Sequence, residues 1–309
     1  MQETKDVYKL TNPQKNIWNL EQFYKGTAIN NICGSVLIKQ ETDLVILAQA
    51  INKFVENNDS FRTRIQLING EPHQYFIENK TYKFETIKFN NIAEFRAYAK
   101  KEAQIPFEII ESQLFTFKLF KLPNKFGGFI INAHHIISDA ATFAMIGSEI
   151  VSNYIQIKNN ENIPTKEYSY KTYIESEQKY LKSNRFEKDK SYWNEFIKDV
   201  PEIATIMPTK PSSASETNTT NYEAINKPTT TTNIAANRLE YKFDKNLISK
   251  ITAFCKENKI SLYNFLVAIY SIYLGKINSA EIFSLGTPIL NRSNFAEKHT
   301  SGMFISTSL

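Results

Sequence analysis

The sequence predicts an α/β protein of two lobes with the second lobe incomplete. Its 309 residues are enough for two ordinary domains or one large two-lobed one. Helical and strand periodicities alternate along the first half. A Ser/Thr/Asn-rich tract over 208–236 breaks that pattern before further helix and strand signals appear.

The first clear element is an amphipathic helix over 43–57. Leu44, Leu47, Ala48, Ile51, Phe54 and Val55 recur at three- and four-residue spacing, and Thr42 or Asp43 supplies the cap. Phe61, Thr63, Ile65 and Leu67 then alternate with Arg62, Arg64 and Gln66, which is strand period, and Asn69-Gly70 turns the chain into a second strand over 73–77. A helix is expected over 92–103. Two apolar strands follow, Leu114 to Leu122 and Phe126 to Ala133, joined at Pro123-Asn124-Lys125. The second runs into His134 and His135. After Asp139, Phe143, Ile146, Ile150 and Tyr154 mark one face of a helix reaching about residue 157.

These elements give a first lobe over 1–165. Connecting helices over 166–207 come next, at about 169–182 and 186–199, the latter anchored by Tyr192, Trp193 and Phe196. The tract at 208–236 has too little apolar content to pack and reads as a mobile surface loop. A partial second lobe spans 237–309. It contains a strand at Leu239, Tyr241 and Phe243, helices at about 245–257 and 261–275, a strand at Ile282 to Leu285, and a strand-like end at Thr307-Ser308-Leu309.

Composition narrows the function. Hydrophobic residues at 42% and charged residues at 22% describe a globular, soluble chain with ample core material. No apolar run reaches the ~18–20 residues of a membrane span, and the polar N-terminus is not a secretory signal, so no membrane association and a cytoplasmic location are expected. The net charge of +5 comes with only six Arg and no basic–aromatic cluster, which argues against nucleic acid as a partner. Cys33 and Cys255 lack Cys-x-x-Cys spacing and read as reduced thiols.

Two of the four histidines are adjacent at the exit of a buried strand. If the strand continues through them, His134 and His135 face opposite ways, one into a cleft and one inside the lobe. Asp139 stands at a helix start, where a carboxylate favours the exposed amides. A histidine at a strand end suits general-base work, because its unperturbed pKa lies near neutrality. Adjacent residues converge poorly on one ion, so a metal site from His134, His135 and Asp139 is the weaker reading. No Gly-x-Ser-x-Gly turn supplies a serine nucleophile. Arg62 is either an exposed strand arginine or an inward one needing a carboxylate, for which Asp139 is a candidate.

His134-His135-Ile136-Ile137-Ser138-Asp139-Ala140 resembles the His-His-x-x-x-Asp-Gly signature of nonribosomal peptide synthetase condensation domains, within the chloramphenicol acetyltransferase-like superfamily. Leu10 to Leu20 is similar to the opening Ser-x-Ala-Gln-x-Arg-x-Trp-x-Leu motif. Asn57 to Thr63 resembles Arg-His-Glu-x-Leu-Arg-Thr, and Gly302 to Thr307 resembles Gly-x-Phe-Val-Asn-Thr. The resemblance implies two acetyltransferase-like lobes in a V-shaped arrangement. It also implies amide bond formation between an acyl or peptidyl thioester and an aminoacyl thioester.

By the same resemblance His135 is the central catalytic residue, either taking a proton from the acceptor amine or orienting it, and His134 is structural. Asp139 pairs with Arg62, the amide of Ala140 assists the oxyanion, and Thr142 lines the tunnel. Donor and acceptor peptidyl carrier proteins are the implied partners; they bring both substrates on phosphopantetheine arms, and no tightly bound cofactor or metal is needed. Ala140 stands where the motif has glycine, Asn57 where it has arginine and Ser306 where it has asparagine. Family members continue beyond the last motif, so a C-terminally truncated domain is expected. A start at Met1 suggests either a fatty acyl starter or a peptide from a separate protein as donor. A stand-alone thioester-dependent O- or N-acyltransferase and a catalytically silent recruitment module are the alternatives.

Overall fold

The computed structural model describes residues 6–201 and 240–308. The tract at 208–236 and the residue Leu239 lie outside the described residues. The described chain divides into two compact units, one running to Phe186 and taking in Ile289–Ser306, the other holding Glu187–Pro288.

The first unit is built on the four-stranded sheet β2–β7–β6–β5, where β2 is Asn31–Ile38, β5 Glu85–Lys88, β6 Phe115–Lys121 and β7 Gly127–His134. The central pairs are antiparallel, and β5 adds parallel to β6. All eight residues of β7 are buried, as expected of a strand covered on both faces. On one face lie α2 (Leu44–Asn57) and α4 (Ala140–Lys158). Leu47, Ile51 and Phe54 there meet Phe117, Phe129 and Ile131. On the other face α3 (Ile92–Glu102) packs Phe95 against Phe120 and Ile130. The alternation of Phe129 and Ile131 against Ile130 is the two-residue period of a strand. Helix α2 starts where expected, with Asp43 accepting from the amides of Val45 at 2.8 Å and Ile46 at 3.2 Å.

A second, three-stranded sheet β1–β4–β3 comprises Tyr8–Lys9, Glu71–Phe76 and Thr63–Ile68, with the β3–β4 hairpin turning at Asn69 and Gly70, both at positive φ. Its strand begins at Thr63, because Asp59–Arg62 forms a turn of 3₁₀ helix instead. The N-terminal helix α1 (Asn12–Phe23) is closed by a capping box between Thr11 and Gln14.

Helix α5 (Tyr170–Leu181) belongs to this unit, which moves its boundary from the expected 165 to 186. The cause is local. Asp59 accepts from the amides of Tyr170 and Lys171 at 2.9 and 3.2 Å, and Tyr170 packs wholly buried against Phe304. Residues 289–306 likewise join the first unit rather than a second lobe.

One close approach in the sheet requires glycine. A Cβ on Gly128 would stand 1.9 Å from the Val36 carbonyl oxygen of the neighbouring strand. Gly128→Ala is therefore expected to cost at least about 1–3 kcal/mol, the usual range for overpacking. Gly34→Ala, whose Cβ would meet only the Phe143 ring at 3.4 Å, should cost less. Equal melting temperatures for the two variants would contradict this.

In the second unit, α6 (Asn184–Phe196) leads into a 3₁₀ turn, and α7 (Lys245–Glu257) and α8 (Leu262–Asn278) follow. Tyr192, Trp193 and Phe196 do not anchor α6 in a core. They are exposed and pack on one another, and Tyr192 and Phe196 line a cavity of about 570 Å³ with Ile282 and Phe283. Residues 240–244 form no strand, and only Ser284 of the expected 282–285 strand makes a bridge. The strand there is β8 (Thr287–Ile289), pairing with β9 (Ser306–Ser308), and α9 (Phe295–Lys298) is a single turn between them. Pro288 and the exposed Ile282 explain the misreading, since apolar content there does not follow pairing. Among the described residues no single helix is long and apolar enough to cross a membrane; α7 and α8 reach that composition only together, with a 104° bend.

Candidate active site

Strand β7 delivers its last residue, His134, opposite Asn31 of β2. Strand geometry stops there: His135–Ile137 is a 3₁₀ turn and α4 starts at Ala140. The two histidines are therefore separated by a change of backbone, not by strand alternation. The His134 amide donates to the Leu114 carbonyl at 2.9 Å, and the His135 amide donates to the Asn30 carbonyl at 2.7 Å. On the far side of the turn, Gln14 Nε2 donates to the Ile136 carbonyl at 3.1 Å.

His134 is 1% exposed. Its Nδ1 accepts from the Ile136 amide at 3.1 Å, and its Nε2 faces Glu21 Oε2 at 3.4 Å. Both ring nitrogens are thus engaged in the interior. His135 is half-buried, and its Nδ1 is buried with no hydrogen-bond partner. Burial is the main cause that lowers the pKa of His135; the Asp139 charge opposes it without reversing it. The imidazole is thus neutral at pH 7 and able to accept a proton. Cys33 on β2 is no rival nucleophile, because burial and then the nearby Glu102 push its thiol up to about 11.

Asp139 is fully buried and saturated. Its Oδ1 caps α4 by accepting from the Thr142 amide at 2.9 Å, and its Oδ2 accepts from the amides of Phe304 at 3.1 Å and Ile305 at 3.3 Å. Arg292 completes a two-pronged ion pair, Nη1 to Oδ2 at 2.6 Å and Nη2 to Oδ1 at 3.0 Å, and stacks over the Phe304 ring at 4.1 Å. The side-chain exposures are 1% for Arg292 and 0% for Asp139. This carboxylate ties the 302–305 segment to the start of α4.

The Condensation domain family model matches residues 4–308. The chain belongs to that family. Surfactin synthase subunit 1 of Bacillus subtilis (strain 168) is 31% identical over 310 residues, covering 97% of this chain and 8% of the relative. Tyrocidine synthase 3 of Brevibacillus parabrevis is 25% identical, covering 98% of this chain and 4% of the relative. The chain thus spans less than a tenth of these relatives' length. The first condensation domain of the calcium-dependent antibiotic synthetase, solved with a substrate analogue, superposes with a TM-score of 0.79 at 15% identity. That alignment covers 98% of this chain and 68% of the other. The starter condensation domain of rhizomide synthetase gives a TM-score of 0.76 at 18% identity, over 98% of this chain and 65% of the other. The α/β fold expected from the sequence is the one these solved domains share.

Within this condensation domain, several expected placements change. Arg62 does not meet Asp139. It closes the 3₁₀ turn and donates Nη1 to the Ile77 carbonyl at 3.0 Å, since the turn at 59–62 removes it from the strand register that suggested an inward arginine. Thr142 lines no tunnel: it is fully buried, its Oγ1 donating to the Gly302 carbonyl at 2.9 Å and accepting from the Gly302 amide at 3.0 Å. Ala140 stands exposed at the first position of α4 with no positive φ, so alanine replaces the motif's glycine there without backbone strain. Gly302 is where glycine is needed, at φ +150° with a Cβ that would lie 2.2 Å from the Tyr170 ring.

Residues missed from sequence complete the arrangement. Arg292, Glu21, Asn30 and Tyr170 hold the motifs together, and only the seven-residue spacing of Gln14 and Glu21 on one helix face carried a readable signal. The Asn57–Thr63 motif serves as a brace. Asn58 donates to Glu149 at 2.9 Å, Lys166 pairs with the same carboxylate at 2.7 Å, and the Ser60 and Ser301 hydroxyls meet at 2.7 Å.

Proposed function

We propose that this domain forms an amide bond between an upstream acyl or peptidyl thioester and the amine of a downstream aminoacyl thioester, with His135 as the residue at the reacting amine. One observation carries the reading: His135 is the half-buried histidine with a free buried Nδ1, beside His134, the Ile136 carbonyl and Ser138, whose polar groups hydrogen-bond within the protein. In this scheme the amine attacks the thioester carbon and His135 takes its proton. The tetrahedral oxyanion then collapses, the C–S bond breaks, and the departing thiolate takes that proton back from His135. Donor and acceptor carrier proteins present the substrates on phosphopantetheine arms, whose thiol supplies the activated ester. The remaining catalysis is positioning. Asp139 and His134 act from within the protein and do not touch substrate.

The test is single-turnover amide formation with an acyl-loaded donor carrier and an aminoacyl-loaded acceptor carrier, followed across pH. The lowered pKa of His135 keeps it unprotonated through neutrality, so the acid limb should lie below the ordinary histidine value of about 6.5. A rate that is half-maximal above pH 7 would contradict the role given to His135. Acylation of free alcohols or amines, with no amide from carrier-bound substrates, would establish the stand-alone acyltransferase reading instead. A folded protein inactive in both assays would be a recruitment module.

A further inference from the structure

We infer that Glu21 is a positioning residue for His135, acting through the His134 ring and through Asn30; this rests on the catalytic reading of His135 above. Glu21 is 6% exposed on α1, two turns after Gln14 and on the same helix face. The pair grips opposite ends of one short turn. Gln14 holds the Ile136 carbonyl at 3.1 Å. Glu21 Oε2 accepts from Asn30 Nδ2 at 2.7 Å and faces His134 Nε2 at 3.4 Å. Asn30 in turn offers its carbonyl to the His135 amide at 2.7 Å. One buried carboxylate oxygen thus fixes the residue before His135 and the backbone partner of His135 itself.

The hydrogen bonds also dictate a tautomer. His134 Nδ1 accepts from the Ile136 amide, so it bears no proton, and the ring proton sits on Nε2 facing Glu21. Without an acceptor at Glu21, Nε2–H and the Asn30 amide become buried donors lacking partners, and the cheapest relief is rotation of the ring or release of Asn30. Either movement shifts the turn that carries His135. Burial pushes the Glu21 carboxyl up, yet the hydrogen bonds from His134 and Asn30 outweigh it and keep it below the ordinary glutamate value, in keeping with a carboxylate at this place.

The experiment compares the parent with Glu21→Ala and Glu21→Gln, the latter keeping an acceptor oxygen. Folding is checked by circular dichroism, and each is studied by single-turnover kinetics at saturating carrier concentration and by ¹⁵N-histidine NMR. A displacement of about 1 Å can cost on the order of 100-fold in rate. Glu21→Ala should lose about that much with apparent carrier affinity unchanged, and Glu21→Gln should recover to within about tenfold. The parent and Glu21→Gln should show His134 as the Nε2–H tautomer, and Glu21→Ala should lose that signal. Lower melting temperature with an unchanged rate per folded molecule would reduce Glu21 to a structural residue and overturn the inference, as would an Nδ1–H tautomer in the parent. If the parent makes no amide, the condensation reading fails on its own. The NMR comparison then decides the positioning, and a persistent Nε2–H signal in Glu21→Ala overturns it.

Discussion

Arg292→Met will destabilise the protein by about 3–5 kcal/mol, the usual cost of leaving one member of a buried ion pair uncompensated. Arg292 is 1% exposed at its side chain, and the Asp139 carboxylate it neutralises is fully buried. Met keeps much of the apolar stem over Phe304, so the loss will report the charge and its hydrogen bonds more than packing volume. Asp139→Asn should also be severe, because Oδ2 receives the Phe304 and Ile305 amides and an amide NH₂ placed there would confront donors. The double variant should lose less than the sum of the singles, since neither charge is then left alone. Arg62→Met supplies the contrast. It removes one hydrogen bond to the Ile77 carbonyl and should cost about 0.5–1.5 kcal/mol. Urea denaturation of the four variants measures all of this, and an Arg62 loss equal to that of Arg292 would contradict the pairing.

That contrast also marks how far the sequence could be read. Helix α2 and strands β6 and β7 were legible because each carries its own period and its own punctuation, Asp43 at one end of α2 and Pro123 between the strands. Strand β2 was missed: Cys33, Gly34 and Ser35 interrupt its apolar run, and its place depends on β7 beside it. The His-His-x-x-x-Asp run was visible. The partner of Asp139 was not, because Arg292 lies 153 residues away in a polar stretch where nothing local marks an arginine as buried. Arg62 attracted the pairing by its alternating neighbours, yet Asp59–Arg62 forms a 3₁₀ turn. Local periodicity names elements and their ends. Which buried charge meets which is settled by tertiary packing, and here by the segment at 289–306 folding back onto the first unit.

His135→Ala carries the second large effect, this time on rate. General-base catalysis contributes typically about 10²–10⁴-fold, and among the described residues the candidates beside His135 are not free to replace it. His134 has both ring nitrogens committed, Asp139 is sealed by Arg292, Thr142 and two backbone amides, and the Cys33 thiol is pushed up to about 11, chiefly by burial. Stability should change little, because the half-buried ring makes no hydrogen bond through Nδ1. His134→Ala should lose both rate and stability, because it removes the partner of the Ile136 amide and one of the two donors to Glu21.

The most direct measurement is single-turnover amide formation by the parent and His135→Ala, with acyl-loaded donor and aminoacyl-loaded acceptor carriers and with folding matched by thermal melts. A loss of about 10²-fold or more in His135→Ala at unchanged melting temperature is the predicted result. Amide formation by His135→Ala within a few-fold of the parent would contradict the assignment of His135 as the residue at the reacting amine.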